Sequence, residues 1–210
     1  MLVIGLVGPP AGGKSTVART LVDLGAAWLD ADHLAHQVLR QPETVAKLEK
    51  FFGSDLLIDG QVDRKWLANQ VFGTDPDSRH KLHYLESSVH PPTRQLLQQR
   101  LIEAKNRNAP AAVLDVPLLF ESGWDVYCDE IWCLNAPVEQ RSRWIGQRGW
   151  SPEMLQQREA RQLPLNEKMR LSSRTIPNSN GLQDLIQNVQ KLWCQLEARS
   201  PEDGLGPSHC

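Results

Sequence analysis

Charge of one sign is missing from this sequence: 23 Lys and Arg stand against 25 Asp and Glu, for a formal net charge of −2. A near-neutral chain has no bulk field with which to collect a polyanion or an anionic bilayer. Nucleic acid and membrane are therefore set aside as partners, and an anionic ligand must be held by local charges. Long apolar runs are also missing, since none approaches the ~20 residues that span a bilayer. The first stretch, Met1–Val7, is too short and too uncharged for a signal peptide. Cysteine is scarce: Cys128, Cys133, Cys194 and Cys210 form no C-x-x-C pair and no zinc-finger spacing. That argues against a thiolate metal centre and leads us to expect reduced thiols in a cytoplasmic protein. No internal repeat or low-complexity block is present, and nothing in the sequence sets an oligomeric state.

What is present is a succession of two periodicities. Leu2–Val7 is an apolar run rich in β-branched residues, closed by Gly8-Pro9-Pro10, and reads as a buried strand. From Lys14 the spacing becomes helical through Val17, Ala18, Leu21 and Leu24, with Gly25 as a stop. Further strands are expected at Ala27–Asp30, Ala111–Val116, Glu130–Leu134 and Arg174–Ile176. Residues 34–106 are expected to be mostly helical, at Val45–Phe52, Arg64–Val71 and Arg94–Ala104. Breaks are predicted at Asp59-Gly60, Gly73–Pro76 and His90-Pro91-Pro92. Helices follow at Val138–Gln147, Pro152–Arg161, Leu165–Leu171 and Leu182–Glu197. Trp66, Trp144 and Trp193 fall at helical spacing with other apolar residues and are expected as packing anchors. Strands separated by helices predict an α/β fold in three layers, an about five-stranded parallel sheet with helices on both faces. Ligands of such sheets bind beyond the carboxyl ends of the strands.

One motif stands at such an end. Gly8, Gly13, Lys14 and Ser15 satisfy G-x-x-x-x-G-K-S/T between a strand and a helix. In that context backbone N–H groups and the positive helix end surround phosphates, lysine reaches the β and γ oxygens, and the serine hydroxyl is placed for Mg2+. Pro9 and Pro10 carry no N–H, so cradling falls to the amides from Gly12 to Thr16. Ala11 is asked for a backbone angle better suited to glycine. The site predicted for ATP is therefore Gly8, Ala11, Gly12, Gly13, Lys14, Ser15 and Thr16, with Lys14 catalytic and Ser15 a metal ligand.

Carboxylates gather at the other strand ends: Asp30 and Asp32 after the second strand, and Asp115 after the third. Asp32 has two readings, a group that engages an acceptor hydroxyl or the N-cap of a helix starting near His33. Asp115 is either a Mg2+ ligand or a carboxylate satisfied by loop amides. Arg141, Arg143, Arg148, Arg158 and Arg161 flank Gly146–Ser151, a candidate lid, and are either phosphate-facing or solvated.

Several blocks resemble one family. They are Leu29-Asp30-Ala31-Asp32-His33-Leu34-Ala35-His36, then His90-Pro91 with Arg94, and Leu114-Asp115-Val116-Pro117-Leu118-Leu119-Phe120-Glu121-Ser122-Gly123. Ala136-Pro137, Gln140, Arg143, Arg158, Gln162 and Asn178 add to them. Together they resemble the dephospho-CoA kinase family over nearly all of the chain before the tail. The loop departs from the family's usual T-G-G-x-G-S-G-K-S by having Val7, Pro9 and Ala11. The resemblance implies ATP-dependent phosphorylation of the ribose 3′-hydroxyl of dephospho-CoA, with Mg2+. It implies catalytic roles for Asp32 and Arg143 and nucleotide contacts for Arg158 and Asn178. Acceptor contacts would come from Asp32, His90, Arg94, Asp115, Leu118 and Phe120. It also implies a single P-loop kinase domain over 1–199, with a core of about 1–33, 107–140 and 172–199. The helical acceptor-binding region would cover about 34–106, the lid about 141–171, and an unstructured tail 200–210. The runner-up is another nucleoside monophosphate kinase. A nucleotide-regulated switch protein is further off, for want of a guanine-reading N-K-x-D element.

Overall fold

A computed structural model describes residues 1–73, 75–147 and 149–198. Arg148 and the expected tail of residues 200–210 lie outside the described residues. The chain divides into two compact units, one of Met1–Asp30 with Glu103–Cys210, the other of Ala31–Ile102.

The larger unit is built on five parallel strands: β1 (Leu2–Val7), β2 (Ala27–Asp30), β5 (Ala111–Asp115), β6 (Glu130–Asn135) and β7 (Arg174–Pro177). Their order is β2-β5-β1-β6-β7. The central strand, β1, is flanked on both sides by parallel partners, which is why it reads as a continuous apolar run. Its Ile4 and Leu6 are fully buried with Val17, Ala18 and Leu21 of α1 (Lys14–Asp23) and Leu185, Val189 and Trp193 of α9 (Leu182–Glu197). Gly5 faces the other side, against Leu119 and Cys128. Strand β7 sits at the sheet edge and ends at Pro177, which has no N–H, and the Asn135 carbonyl of β6 accepts from the next amide, Asn178, at 2.8 Å. Arg174 grips Glu130 of β6 with two hydrogen bonds, at 2.8 and 3.2 Å. Helices α6 (Val138–Gln147), α7 (Pro152–Glu159) and α8 (Leu165–Leu171) fill the stretch between β6 and β7.

The smaller unit carries α2 (Ala31–Val38), α3 (Pro42–Phe52), the hairpin β3 (Leu57–Ile58)–β4 (Gln61–Val62), α4 (Arg64–Val71) and most of α5 (Pro76–Asn106). Asp59 and Gly60, both at positive φ, make the two-residue hairpin turn that their pairing favours. Asp63 caps α4, accepting from the amides of Lys65 and Trp66. Leu48, Leu56, Leu67 and Val71 form the core, with Trp66 packed against it and Phe51 stacked on Tyr84 at 3.7 Å.

One expectation about the elements needs correction. The predicted break at His90-Pro91-Pro92 is absent: α5 runs straight through both prolines. They remove the N–H donors for the carbonyls of Ser87 and Ser88. Buried Val89 and Leu97 hold the helix on its apolar face, and the Thr93 hydroxyl donates to the Val89 carbonyl at 2.7 Å. Cys128 and Cys133 are free thiols.

Candidate active site

The loop after β1 is shaped by its own residues before any ligand is considered. Pro10 and Ala11 occupy the middle of a tight turn closed by the Gly12 N–H donating to the Pro9 carbonyl at 3.0 Å. Ala11 adopts φ +58°, the angle anticipated from the sequence and one that glycine takes more easily. Its methyl is buried beside Ile145 of α6 and Leu155 of α7, with Trp150 against them. Two amides expected among the phosphate donors are thus committed within the chain: Gly12 inside the loop, and Thr16, which donates to the Gly13 carbonyl at 3.0 Å. Gly13 follows at φ +100°, and a Cβ there would lie 2.6 Å from the Asn178 side-chain nitrogen. That nitrogen donates to the Gly12 carbonyl at 3.0 Å, from a side chain only 3% exposed.

Helix α1 begins at Lys14 with Gly13 as its N-cap, no side-chain cap and no acidic residue in its first turn. Helices usually place an oxygen-bearing side chain there. Here the positive end, carrying Lys14, Ser15 and Thr16, keeps its attraction for an outside anion. Asp115 ends β5 with its Cα in register with Leu6 of β1 and Asp30 of β2. Two carboxylates therefore stand side by side at the carboxyl edge of the sheet. Among the described residues no three His, Cys, Asp or Glu side chains converge as a metal cage. Hard oxygen donors as sparse as Ser15 and Asp115 suit Mg2+, which keeps waters and takes other ligands from phosphates.

The segment after β5 buries Leu119 and Trp124 and leaves Leu118 and Phe120 half-buried. Its Glu121 carboxylate accepts from the Leu163 amide at 2.6 Å, tying it to the chain before α8. Among the arginines of the expected lid, Arg141 is buried, donates to the Ala136 carbonyl at 3.1 Å and pairs with Glu159. Arg143 is exposed, and Arg158 lies over the Trp150 ring at 4.3 Å. In the smaller unit, Asp32 sits in the first turn of α2, which starts at Ala31. That removes the N-cap reading, because the helix has already begun. His90 and Arg94 are exposed one turn apart on α5.

Sequence reasoning missed Lys168. It is 3% exposed and donates to the Gly8 carbonyl at 3.4 Å and to the Gln162 side chain. Burial first, then the charge of Lys14, pull its pKa down to about 8. A lysine in a short helix reads as solvated. The available signal was its spacing of three from Leu165, which puts both on one helix face.

A glycine-rich phosphate loop feeding an uncapped helix, on a parallel sheet of this strand order, defines a P-loop kinase. The model of the dephospho-CoA kinase family matches residues 2–184. The dephospho-CoA kinase of Rhodopirellula baltica is 40% identical over 189 residues, covering 90% of this chain and 88% of its own. A crystal structure of a Thermus thermophilus protein is 35% identical with a TM-score of 0.77, covering 93% of this chain and 97% of that one. The dephospho-CoA kinase from Campylobacter jejuni is 27% identical with a TM-score of 0.70, covering 92% and 96%. The chain belongs to the dephospho-CoA kinase family.

Proposed function

We propose that the protein transfers the γ-phosphoryl group of ATP to the ribose 3′-hydroxyl of dephospho-CoA, giving coenzyme A and ADP, the last step of coenzyme A synthesis. The observation that carries this reading is the register of Asp30 with Asp115. It pairs the strand-end residues of the two most family-like blocks, Leu29-Asp30 and Leu114-Asp115.

In the reaction the bond from the γ-phosphorus to the β,γ-bridging oxygen breaks, and its electron pair leaves with ADP. The acceptor oxygen forms the new bond to phosphorus and loses its proton. The transition state is loose, so positioning and charge supply most of the acceleration. Lys14 meets the β and γ oxygens, and the positive start of α1 with the Gly13 and Ser15 amides holds the rest. Mg2+, held by Ser15 and Asp115, would neutralise charge building on the phosphates. Asp32 orients the acceptor hydroxyl and receives its proton late. Arg143 and Arg158 bring charge from the lid. His90 and Arg94 meet the acceptor's anionic groups, and Leu118 and Phe120 offer it apolar surface. The same reading places the enzyme in the cytoplasm.

A coupled assay tests this. Purified protein with ATP and Mg2+ receives dephospho-CoA, AMP or no acceptor, and ADP release is followed. Dephospho-CoA should accelerate release strongly and AMP should not. Acceleration by AMP alone would transfer the assignment to a nucleoside monophosphate kinase.

A further inference from the structure

A buried ammonium is a liability unless something compensates it, because desolvation opposes its charge. Lys168, on α8, is such a group, and it lies under the phosphate loop. Two of the three donors of its ammonium have acceptors, the Gly8 carbonyl and the Gln162 side chain. Both acceptors are neutral. Lys168 also lines a pocket of about 250 Å3 with Pro9 and Pro10 of the loop, Arg141, Glu159 and Gln162.

The charges facing it come from every neighbouring element. Lys14 at the start of α1 opposes its charge, and Arg141 of α6, which lines the same pocket, is paired with Glu159. Glu121 after β5, Glu159 of α7 and the Cys133 thiol of β6 favour it. Burial pushes that thiol up to about 11, so Cys133 is neutral at ordinary pH. The two carboxylates are shared as well, Glu121 with the Leu163 amide and Glu159 with Arg141. Lys168 thus lacks a dedicated counter-ion among the described residues, and its strongest opposing charge is the lysine that serves the phosphates.

We propose that Lys168 is a positioning residue of the nucleotide site: by holding the Gly8 carbonyl it fixes the entry of the phosphate loop, and a bound polyphosphate supplies the counter-charge it lacks. Gly8 is a place where small movements matter. It adopts φ +148°, and a Cβ there would stand 3.0 Å from the Leu134 carbonyl, so the chain passes tightly over β6 before turning. A polyphosphate bound on the loop turns the repulsion between Lys14 and Lys168 into attraction of both toward one anion. Nucleotide binding should then draw a proton onto Lys168 when the pH is near 8.

This inference rests on Gly8–Ser15 being the ATP site, so dephospho-CoA-dependent ADP release by the wild type is measured first. No turnover there would count against the proposed function itself. Next, Lys168→Met, Lys168→Gln and Lys168→Arg are compared with wild type, folding being checked by circular dichroism. The neutral variants should raise the KM for ATP by ~10-fold or more while moving that for dephospho-CoA less than ~3-fold. In wild type the KM for ATP should rise above about pH 8. In Lys168→Arg, whose charge does not titrate, that rise should vanish. Titration of the unmodified enzyme with MgATP, without acceptor, in buffers of different ionisation heat adds a test that needs no variant. It should show uptake of about half a proton near pH 8. Equal effects on both substrates, or no proton uptake by an active wild type, would overturn the proposal.

Discussion

The side-chain amide of Asn178 donates to the carbonyl of Gly12 across 3.0 Å, joining the chain after β7 to the middle of the phosphate loop. The Asn178 backbone amide is itself anchored on Asn135, at 2.8 Å, so the tether runs from the sheet to the loop. In the proposed function Asn178 thus serves the nucleotide through the loop's shape. Replacing Asn178 with Ala leaves a buried carbonyl unpartnered, at a cost of about 1–3 kcal/mol. Thermal unfolding should show that loss, and the KM for ATP should rise. Asn178→Asp should be worse, because a carboxylate would face the Gly12 oxygen. An unchanged KM for ATP in a destabilised Asn178→Ala protein would show that the tether serves the fold alone.

Ala11 holds two effects in opposition. Its φ of +58° costs about 1–2 kcal/mol for a residue with a Cβ. Its methyl, however, is buried against Ile145 and Leu155, and removing it forfeits about 0.8 kcal/mol. Glycine also enlarges the freedom of the unfolded chain, by about 0.4–1 kcal/mol. Ala11→Gly should therefore change stability by less than ~1 kcal/mol despite relieving the strain. Ala11→Val adds branching at the same angle and overfills the cluster, so it should lose 2 kcal/mol or more on the scale of about 1–3 kcal/mol for overpacking. Denaturant titration separates the two. A large stabilisation in Ala11→Gly would mean that the methyl packs against nothing of value.

Much of this was legible in the sequence because local and global signals agree. The run Leu2–Val7 is buried on both faces, so it is apolar throughout, and Gly8–Ser15 carries its chemistry in its spacing. The parallel strands could be marked from apolar runs and the helices from their period. The failures have a physical cause as well. Pro91-Pro92 signals a break locally, yet Val89 and Leu97 keep α5 packed through it. Lys168 and the pairing of Arg141 with Glu159 depend on contacts between segments far apart in the chain, which periodicity does not encode. Gly12 looked like a phosphate donor because the turn closed by Pro9 is not visible in a motif.

Asp32 stands inside the first turn of α2, so its structural worth is a favourable interaction with the helix dipole, typically about 0.3–1 kcal/mol. Asp32→Asn removes the charge and keeps the shape. The protein should remain folded within that margin while kcat drops by ~100-fold or more, the usual scale for losing a proton acceptor. Preserved kcat with the small stability loss would leave Asp32 a helix residue only.

Lys14 offers a check on the loop as a whole. In the proposed function it is the charge that reaches the β and γ oxygens, and losing one such transition-state contact costs on the order of 3 kcal/mol. Lys14→Ala should lower kcat/KM by at least that equivalent while the sheet and α1 stay intact. Near wild-type turnover in this variant would remove the loop from the chemistry.

Lys168 makes a prediction about stability that is separate from catalysis. Its folded pKa is lowered from 10.5 to about 8. Between those values the unfolded chain binds more protons than the folded one, so stability rises with pH across that window. Below about pH 8 both states are protonated and the full penalty of the buried charge is present. At the alkaline end the ammonium is neutral in both and the penalty is gone. The gain is on the order of 3 kcal/mol for a shift of this size. Lys168→Met has no such group to titrate, and the other ionisable residues are common to both proteins. Unfolding free energies of the two, measured from pH 7 to 10.5, should therefore diverge steadily, the wild type gaining relative to the variant. Parallel curves would mean that Lys168 is solvated in the folded protein, and the loop would then have to be held by Asn178 without it.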